Sequence, residues 1–467
     1  MRHLVFGLVV ALLLSLSIGA SGSGSQSPMA FIPGSMSNSI AVIDTGRNQV
    51  AATFDIWDNG ANATPFGVAV SPDGLRVFVS NFMSGNVVVI DAKTHGILAE
   101  IPVGVFPTGI AIDPKGERVY VATSGDGNLS VIDASNYSRI GSPICLGAVV
   151  RTRCVGSIPR GVAVDPKAPR VYVTNKNGGG AVVVVDTVSL GIQKVIVGGE
   201  PLGIAVAPDG SRLYVGLNAT GQVAVLNTAD YSLIGGISVG RGPFGLALSL
   251  KDGRLYVANE VDGTVSVIDT GLLQVMGKPI PVGTNPTGLS PKPRGLSVTE
   301  DGKHVYVANW GIDSVSVIDT GSLTVAEIDL VTGRAPIAFG NSITPGVAAI
   351  DVAIDIKPGS GQHTINLGSH GVTPVAILST STFNAPVRVN PATVTLAGAP
   401  VQLKGDGVTA VIEERDVNGD GLVDLVVHVR TDAMVFSPGD TTAVLEGKTW
   451  DDESIRGEGT VRIVPGR

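Results

Sequence analysis

Pro243 to Thr270, PFGLALSLKDGRLYVANEVDGTVSVIDT, alternates apolar with small or polar residues in short bursts divided by turn residues. GLALSL has the two-residue period of a half-buried strand, and Lys251-Asp252-Gly253 follows as a turn in which glycine takes positive φ without a Cβ clash. LYVAN is β-branched and aromatic, Asn259 to Gly263 is a second turn, and TVSVID alternates again. A further apolar stretch, Leu233 to Val239, precedes the unit. The pattern predicts a small antiparallel sheet of four strands in about forty residues, the size of one propeller blade.

The unit recurs in register. The ending of the third strand appears as Ile43-Asp44, Ile90-Asp91, Ile132-Asp133, Val185-Asp186, Leu226-Asn227, Ile268-Asp269 and Ile318-Asp319. The second strand recurs as VFVSN, VYVAT, VYVTN, LYVGL, LYVAN and VYVAN, with AFIPGS as a weaker first copy. Inner strands open with Pro-x-Gly at Pro65, Pro107, Pro159, Pro201, Pro243 and Pro293, and no such motif precedes the first copy. APIAFGNSI, Ala335 to Ile343, is expected to supply the missing inner strand from the far end of the chain. Closing the ring with strands from both ends removes its exposed sheet edges. The predicted fold is all-β: a seven-bladed β-propeller over 29–350, closed by N- and C-terminal strands. In it the glycines admit close approach of neighbouring blades, the Tyr or Phe of the second strand packs between blades, and the repeated Asp caps a turn.

After Ile350 the repeat stops, and alternating runs at Thr373 to Leu378, Ala392 to Leu396, Leu422 to Val429 and Thr441 to Leu445 predict a small β-sandwich domain over 351–467. Roughly seven to nine short strands are expected there. Asp416-Val417-Asn418-Gly419-Asp420-Gly421-Leu422-Val423-Asp424 places oxygen-bearing side chains at the spacing of a calcium loop, with Gly421 at the turn and the Leu422 carbonyl as a further donor. Val427 stands where a bidentate Glu would complete an EF-hand, so Glu413 and Glu414 are candidates to finish the shell. Two readings stand: a structural calcium site at Asp416, Asn418, Asp420, Leu422 and Asp424, or an Asx-rich turn without metal.

Composition narrows the partners. A net charge of −8 and a pI near 5.3 oppose a general phosphate-backbone binder, so nucleic acid is not expected. There is no CxxCH, HExxH or nucleotide loop, hence no haem or nucleotide is expected. Leu4 to Ile18 is apolar and Gly19 to Ser25 small, which predicts a signal peptide over 1–25 and a secreted, periplasmic or cell-surface product. The apolar run is shorter than the ~20 residues of a bilayer span, so no membrane span is expected after cleavage. In an oxidising compartment Cys145 and Cys154 are expected to form a disulfide pinning an insertion between two blades; two buried thiols is the other reading.

The remaining candidate site is the channel mouth. The residue inside each Pro-x-Gly is expected to face it: Phe66, Thr108, Arg160, Leu202, Phe244 and Arg294, with Ile337 from the closing strand. Arg160 and Arg294 would clamp an anion across the channel, or else pair with acids of neighbouring blades. Turn residues Phe82, Met83, Asp126, Lys176, Glu260, Trp310 and Asp313 share that face, and Trp57 lies in a longer link.

VYVTN at Val171 to Asn175, with PDG and VIDT recurring around it, resembles the YVTN-repeat family of secreted β-propellers from about Met29 to Ile350. IDIKPGS, GVTPVAIL and DVNGDG resemble a C-terminal module of secreted bacterial proteins. The resemblance implies the fold and no single activity, since similar propellers include surface-layer proteins, haem-d1-type domains, lactonases and antibiotic-ring lyases. Two functions follow as expectations. One is non-enzymatic binding or scaffolding of a protein, glycan or small ligand at the mouth; the alternative is a lactonase-like or lyase-like enzyme acting there.

Overall fold

A computed structural model describes residues 28–56, 63–177, 179–283, 288–330, 334–345, 350–360, 363–367, 369–405, 407, 409–436, 440–450 and 454–464. The expected signal peptide and Trp57 lie outside the described residues. The chain forms two compact units, Ser27–Val347 and Ala348–Arg467. Among the described residues no helix is long and apolar enough to cross a membrane.

The first unit is a seven-bladed propeller. Blades 2 to 7 are antiparallel sheets whose inner strands are Pro65–Val70, Pro107–Ile112, Pro159–Val164, Pro201–Val206, Pro243–Leu248 and Pro293–Val298. Blade 1 has three regular strands, Met29–Gly34, Ser39–Asp44 and Gln49–Asp55. Its inner strand is the returning segment 335–344: Ala30 bridges Ile343 and Gly34 bridges Pro336, both antiparallel. Phe31 N–H donates to Ser342 O (2.8 Å) and Ile337 N–H to Pro33 O (2.8 Å). The ring is therefore closed by both ends of the unit, as the distribution of Pro-x-Gly motifs requires.

The repeated residues hold the blades to one another. A Cβ built on Gly67, Gly109, Gly161, Gly203 or Gly245 would lie 2.2–2.4 Å from the carbonyl oxygen of Thr108, Arg160, Leu202, Phe244 or Arg294 in the next blade. Only glycine admits that approach. Tyr120, Tyr172, Tyr214, Tyr256 and Tyr306 are buried, and Tyr172 packs against Ile204, Leu213 and Val215 of the following blade. The Asp after the third strand caps a turn: Asp186 Oδ1 accepts from Val188 N–H (3.0 Å) and Ser189 N–H (2.7 Å). The Ser189 N–H, the Ser189 hydroxyl and the Val188 N–H hold that carboxyl below the ordinary aspartate value. Asn227 does the same work in blade 5, accepting from Ala229 N–H at 2.8 Å.

A further lock is written in the sequence but is not evident from periodicity. The Arg that opens the second strand reaches a backbone carbonyl of the next blade: Arg76 to Ala134, Arg170 to Thr228, Arg212 to Thr270 and Arg254 to Thr320, at 2.5–2.9 Å. At the ring closure Tyr306 takes over, its hydroxyl donating to Asn48 Oδ1 of blade 1.

The second unit is a β-sandwich. One sheet runs Ile350–Asp351, Ser454–Thr460, Thr442–Thr449, Val389–Leu396, Ala399–Pro400; the other runs Ile354–Ile356, Val372–Ile377, Asp424–Arg430, Ile412–Arg415. Val375, Val427 and Val429 from one and Val394, Leu396 and Leu445 from the other share a core. With the parallel pair Thr364–Asn366 and Arg462–Val464 the described strands number eleven, more than the seven to nine expected, because several have only two or three residues. Pieces that short carry no period to read.

The glycine contacts can be tested directly. Gly203→Ala is expected to destabilise the propeller by at least about 2 kcal/mol, since the Phe244 carbonyl cannot retreat without moving a strand. Gly235→Ala, whose Cβ would meet nothing within 4 Å, is expected to leave the denaturation midpoint unchanged or raise it. Equal behaviour of the two variants in urea unfolding would refute the packing argument.

Candidate functional site

Each inner strand of blades 2 to 7 starts at one face of the ring, where the turn after the second strand also lies. Phe82 N–H donates to Thr64 O (2.9 Å), Lys176 N–H to Ile158 O (3.1 Å), Glu260 N–H to Gly242 O (2.9 Å) and Trp310 N–H to Lys292 O (3.2 Å). These bonds seat the turn residues beside the Pro-x-Gly residues and so build the mouth.

Aromatic rings run across it. Phe106 stacks on Phe82 with centroids 4.7 Å apart, and Phe82 is 6.1 Å from Phe66. Phe66 meets Phe339 edge-on at 6.0 Å, and Phe339 meets Phe244 at 5.5 Å. The Arg294 guanidinium continues the arc, 5.4 Å from the Phe244 ring and 3.9 Å from that of Trp310, with Lys292 Nζ 5.4 Å from the same indole. Five of these six aromatic residues, Phe66, Phe82, Phe106, Phe244 and Trp310, lie in links, turns or Pro-x-Gly motifs; only Phe106 was absent from the candidates.

Phe339 is the other residue that sequence reasoning missed. In blade 6 the five steps from Pro243 to Leu248 pair with the four from Leu255 to Asn259. In the closing strand the seven steps from Pro336 to Ile343 pair with the four from Ala30 to Gly34. The surplus makes a wider bulge, and the bulge sends Phe339, a residue of blade 1, across to Phe244 of blade 6. Its backbone is secured on the other side, where Val68 N–H donates to Phe339 O at 3.3 Å. The ring is 7% exposed, and it lines a narrow void of about 40 Å³ with Gly109, Gly161, Gly203 and Gly245. Below that waist, at the other end of the inner strands, a cavity of about 530 Å³ is lined by Ile112, Val164, Val206, Leu248 and Val298.

The expected mouth residues do not all behave alike. Thr108 and Ile337 are fully buried, and the Thr108 hydroxyl is 3.2 Å from the Pro159 carbonyl, so both serve the wall and not the opening. The two-arginine clamp is also not formed. Arg294 is paired with Glu260 of blade 6, Nη2 to Oε1 at 2.7 Å and Nε to Oε1 at 2.8 Å, which is the inter-blade reading. Among the described residues Arg160 has no such acid: its Nε is shut from solvent without a hydrogen-bond partner, and burial holds its pKa below the usual arginine value. Lys176 pairs with Glu200 at 2.9 Å, and Asp313 Oδ1 accepts from Ala335 N–H at 2.7 Å.

Cys145 and Cys154 form the expected disulfide, with Cα atoms 5.3 Å apart, and the hairpin Ala148–Val150/Arg153–Val155 fills the loop they close. In the loop 416–424, Asp416 accepts from Gly419 N–H (2.7 Å) and Gly421 N–H (2.9 Å), and Asp420 Oδ1 from Leu422 N–H (2.8 Å). Asp424 is fully buried and accepts from Ser379 N–H (2.7 Å) and Val417 N–H (2.9 Å), which makes it a strut between loop and sheet. The arrangement is an Asx-rich turn, and among the described residues no three acidic, His or Cys groups converge as a cation cage.

Residues 236–344 match the family model of the lactonase, 7-bladed beta-propeller. No curated protein matches the chain. Among solved structures, a functionally unknown protein from Desulfotomaculum acetoxidans aligns with a TM-score of 0.55 and 14% identity, covering 68% of this chain and 99% of that one. Kuenenia stuttgartiensis hydrazine synthase aligns with a TM-score of 0.52 and 20% identity, covering 66% of this chain and 99% of that one. Virginiamycin B lyase from Staphylococcus aureus, in complex with quinupristin, aligns with a TM-score of 0.49 and 15% identity over 59% of this chain and 87% of that one. The chain is a β-propeller protein, and at these identities the likeness extends to fold alone.

Phe339→Ala is expected to lower stability by about 3–5 kcal/mol, since it deletes a buried ring that touches two others. Urea unfolding of the variant against the wild type measures this, and a loss below about 1 kcal/mol would show that the ring is not a structural bridge.

Proposed function

We propose that this protein is an exported, non-enzymatic recognition propeller that binds glycan at its mouth. The observation that carries the reading is the aromatic arc from Phe106 to Trp310. Met83, Val105, Phe106, Val261 and Leu289 are exposed in the same turns and links, and exposed apolar groups beside polar ones mark interaction surfaces. Sugar rings present flat C–H faces that stack on such rings, while their hydroxyls use the polar groups between them. The alternative, a lactonase-like enzyme at the same mouth, is favoured by the match over 236–344, a segment that contains Phe244, Glu260, Arg294 and Trp310.

A panel of immobilised neutral and acidic glycans, probed with the mature chain, tests the reading. Binding is expected, and Phe82→Ala and Phe106→Ala should each weaken it about tenfold. A panel of lactones followed by acid release at neutral pH tests the alternative. Hydrolysis above buffer that disappears in Arg294→Ala would overturn the non-enzymatic reading.

The proposal includes a structural calcium in the second unit, with Asp416, Asn418, Asp420 and the Leu422 carbonyl as the groups to hold it and Asp424 as the strut beneath. Each carboxylate oxygen that accepts one backbone N–H keeps a lone pair for a cation. The melting temperature of the full chain should rise with calcium concentration, and Asp420→Ala should abolish the rise. A flat titration would eliminate the metal.

A further inference from the structure

We infer that the disulfide-pinned hairpin between blades 3 and 4 is a docking tip for an anionic lipid surface. Among the described residues its strands, Ala148–Val150 and Arg153–Val155, pair only with each other and form a ribbon apart from the blade sheets. Side chains alternate across the ribbon, so Val149 shares one face with Cys154 while Val150 shares the other with Arg153. Val149 is 69% exposed and Val150 51%. Solvent reaches both faces, so the tip stands clear of the propeller.

The root, by contrast, is firmly held. Cys145 pairs with Asn128 at the start of the third strand of blade 3, and the Cys145–Cys154 bond ties the two arms of the insertion together. Leu146 is buried against Val171 and Val173 of blade 4, and its N–H donates to Gly127 O at 3.1 Å. Valines carried on a stapled ribbon lose little conformational freedom when a partner covers them. The turn points the same way. Arg151 and Thr152 have φ of 47° and 67°, the left-handed region at both central positions of a two-residue hairpin loop. Asn-Gly suits such a loop, and a β-branched Thr is costly in it. The chain tolerates that strain and carries an arginine at its outermost point.

Charge selects the partner. From Arg139 to Arg160 the chain has four arginines and no Asp, Glu or Lys, although the whole carries a net charge of −8. Arg139, Arg151 and Arg153 are exposed. Strands of three residues, at ~3.3 Å per residue, lift the tip by about 10 Å, which is the screening length at about 0.1 M salt. The tip therefore feels its own arginines more than the acidic remainder of the chain.

Size separates a lipid surface from other anionic partners. A stable protein interface takes about 800 Å² and roughly 20–30 residues on each side. The exposed part of the ribbon is only Ala148 to Arg153 with Val155. An anionic glycan would pair with the arginines and leave Val149 and Val150 in water. A bilayer receives each apolar side chain separately at the acyl boundary while the arginines stay among phosphate headgroups, so a tip this small suffices for reversible docking.

Flotation of the mature chain with lipid vesicles tests the inference. Binding is expected to phosphatidylcholine vesicles that contain phosphatidylglycerol, and it should weaken as salt is raised. Arg151→Gln and Arg153→Gln should each lower the partition coefficient about fivefold. Val149→Asp should lower it at least as far, whereas Val188→Asp, at a turn valine 79% exposed elsewhere in the ring, should leave it unchanged. All four side chains are exposed, so the variants are expected to melt with the wild type, which separates lost docking from lost fold. Absence of binding to the anionic vesicles, equal binding to phosphatidylcholine alone, or wild-type binding by Arg151→Gln and Val149→Asp would overturn the docking tip.

Discussion

The structure depends on a contact repeated around the ring: the backbone of each Pro-x-Gly glycine set against the carbonyl of the residue preceding the glycine in the next blade. At Gly67, Gly109, Gly161, Gly203 and Gly245 there is no room for even a methyl group. This sets the radius of the waist. With inner strands so close, the interior at that level narrows to a void of about 40 Å³ lined by the glycines and by apolar residues such as Ile110, Ile204 and Phe339. Functional side chains are therefore displaced along the axis to either end, and at the mouth they come from links and turns. The tyrosines and the Arg-to-carbonyl bonds act farther from the axis, where the blades diverge and larger groups are needed to fill the wedge.

A closed ring of near-identical blades offers no natural place for an asymmetric ligand. Asymmetry enters at two joints. At the closure, the inner strand of blade 1 arrives from the far end and need not follow the repeat. It has surplus residues, which become a bulge, and the bulge places Phe339 across the axis toward Phe244. At the joint of blades 3 and 4, an insertion held by Cys145–Cys154 lengthens the link. The first of these joints yields the aromatic bridge.

What was legible in the sequence follows from repetition. Strand order, the sevenfold count, the closure by 335–343 and the capping role of the aspartates were all readable, because each is enforced in blade after blade. Phe66, Phe82, Phe244 and Trp310 were legible as mouth residues for the same reason: they occupy positions defined by the repeat. Phe339 was not, since it lies on a bulge that the repeat does not contain. Nor could the pattern separate Arg294 from Arg160. Both occupy the same place in Pro-x-Gly, and the difference is that Glu260 stands in the turn beside Arg294, while blade 3 has Ser124 at that position and turns the Asp126 carboxylate to Val105 N–H. Thr108 shows the limit from the other side: a small hydroxyl at the same position bonds to the wall instead of reaching the opening.

Arg160 and Arg294 also show why a shared scaffold need not share chemistry. A guanidinium at this height faces two costs, loss of hydration and proximity to the narrow backbone waist. Arg294 meets them with Glu260 and with the faces of Phe244 and Trp310, and so becomes part of a wall. Arg160 meets neither; its Nε stays buried and unpaired. The same residue type at the same place in the repeat is thus a paired wall element at one blade and an unmatched one at another. The Asn that ends the second strand keeps one unpaired amide atom at Asn81, Asn175, Asn259 and Asn309, so that feature belongs to the repeat and not to one blade.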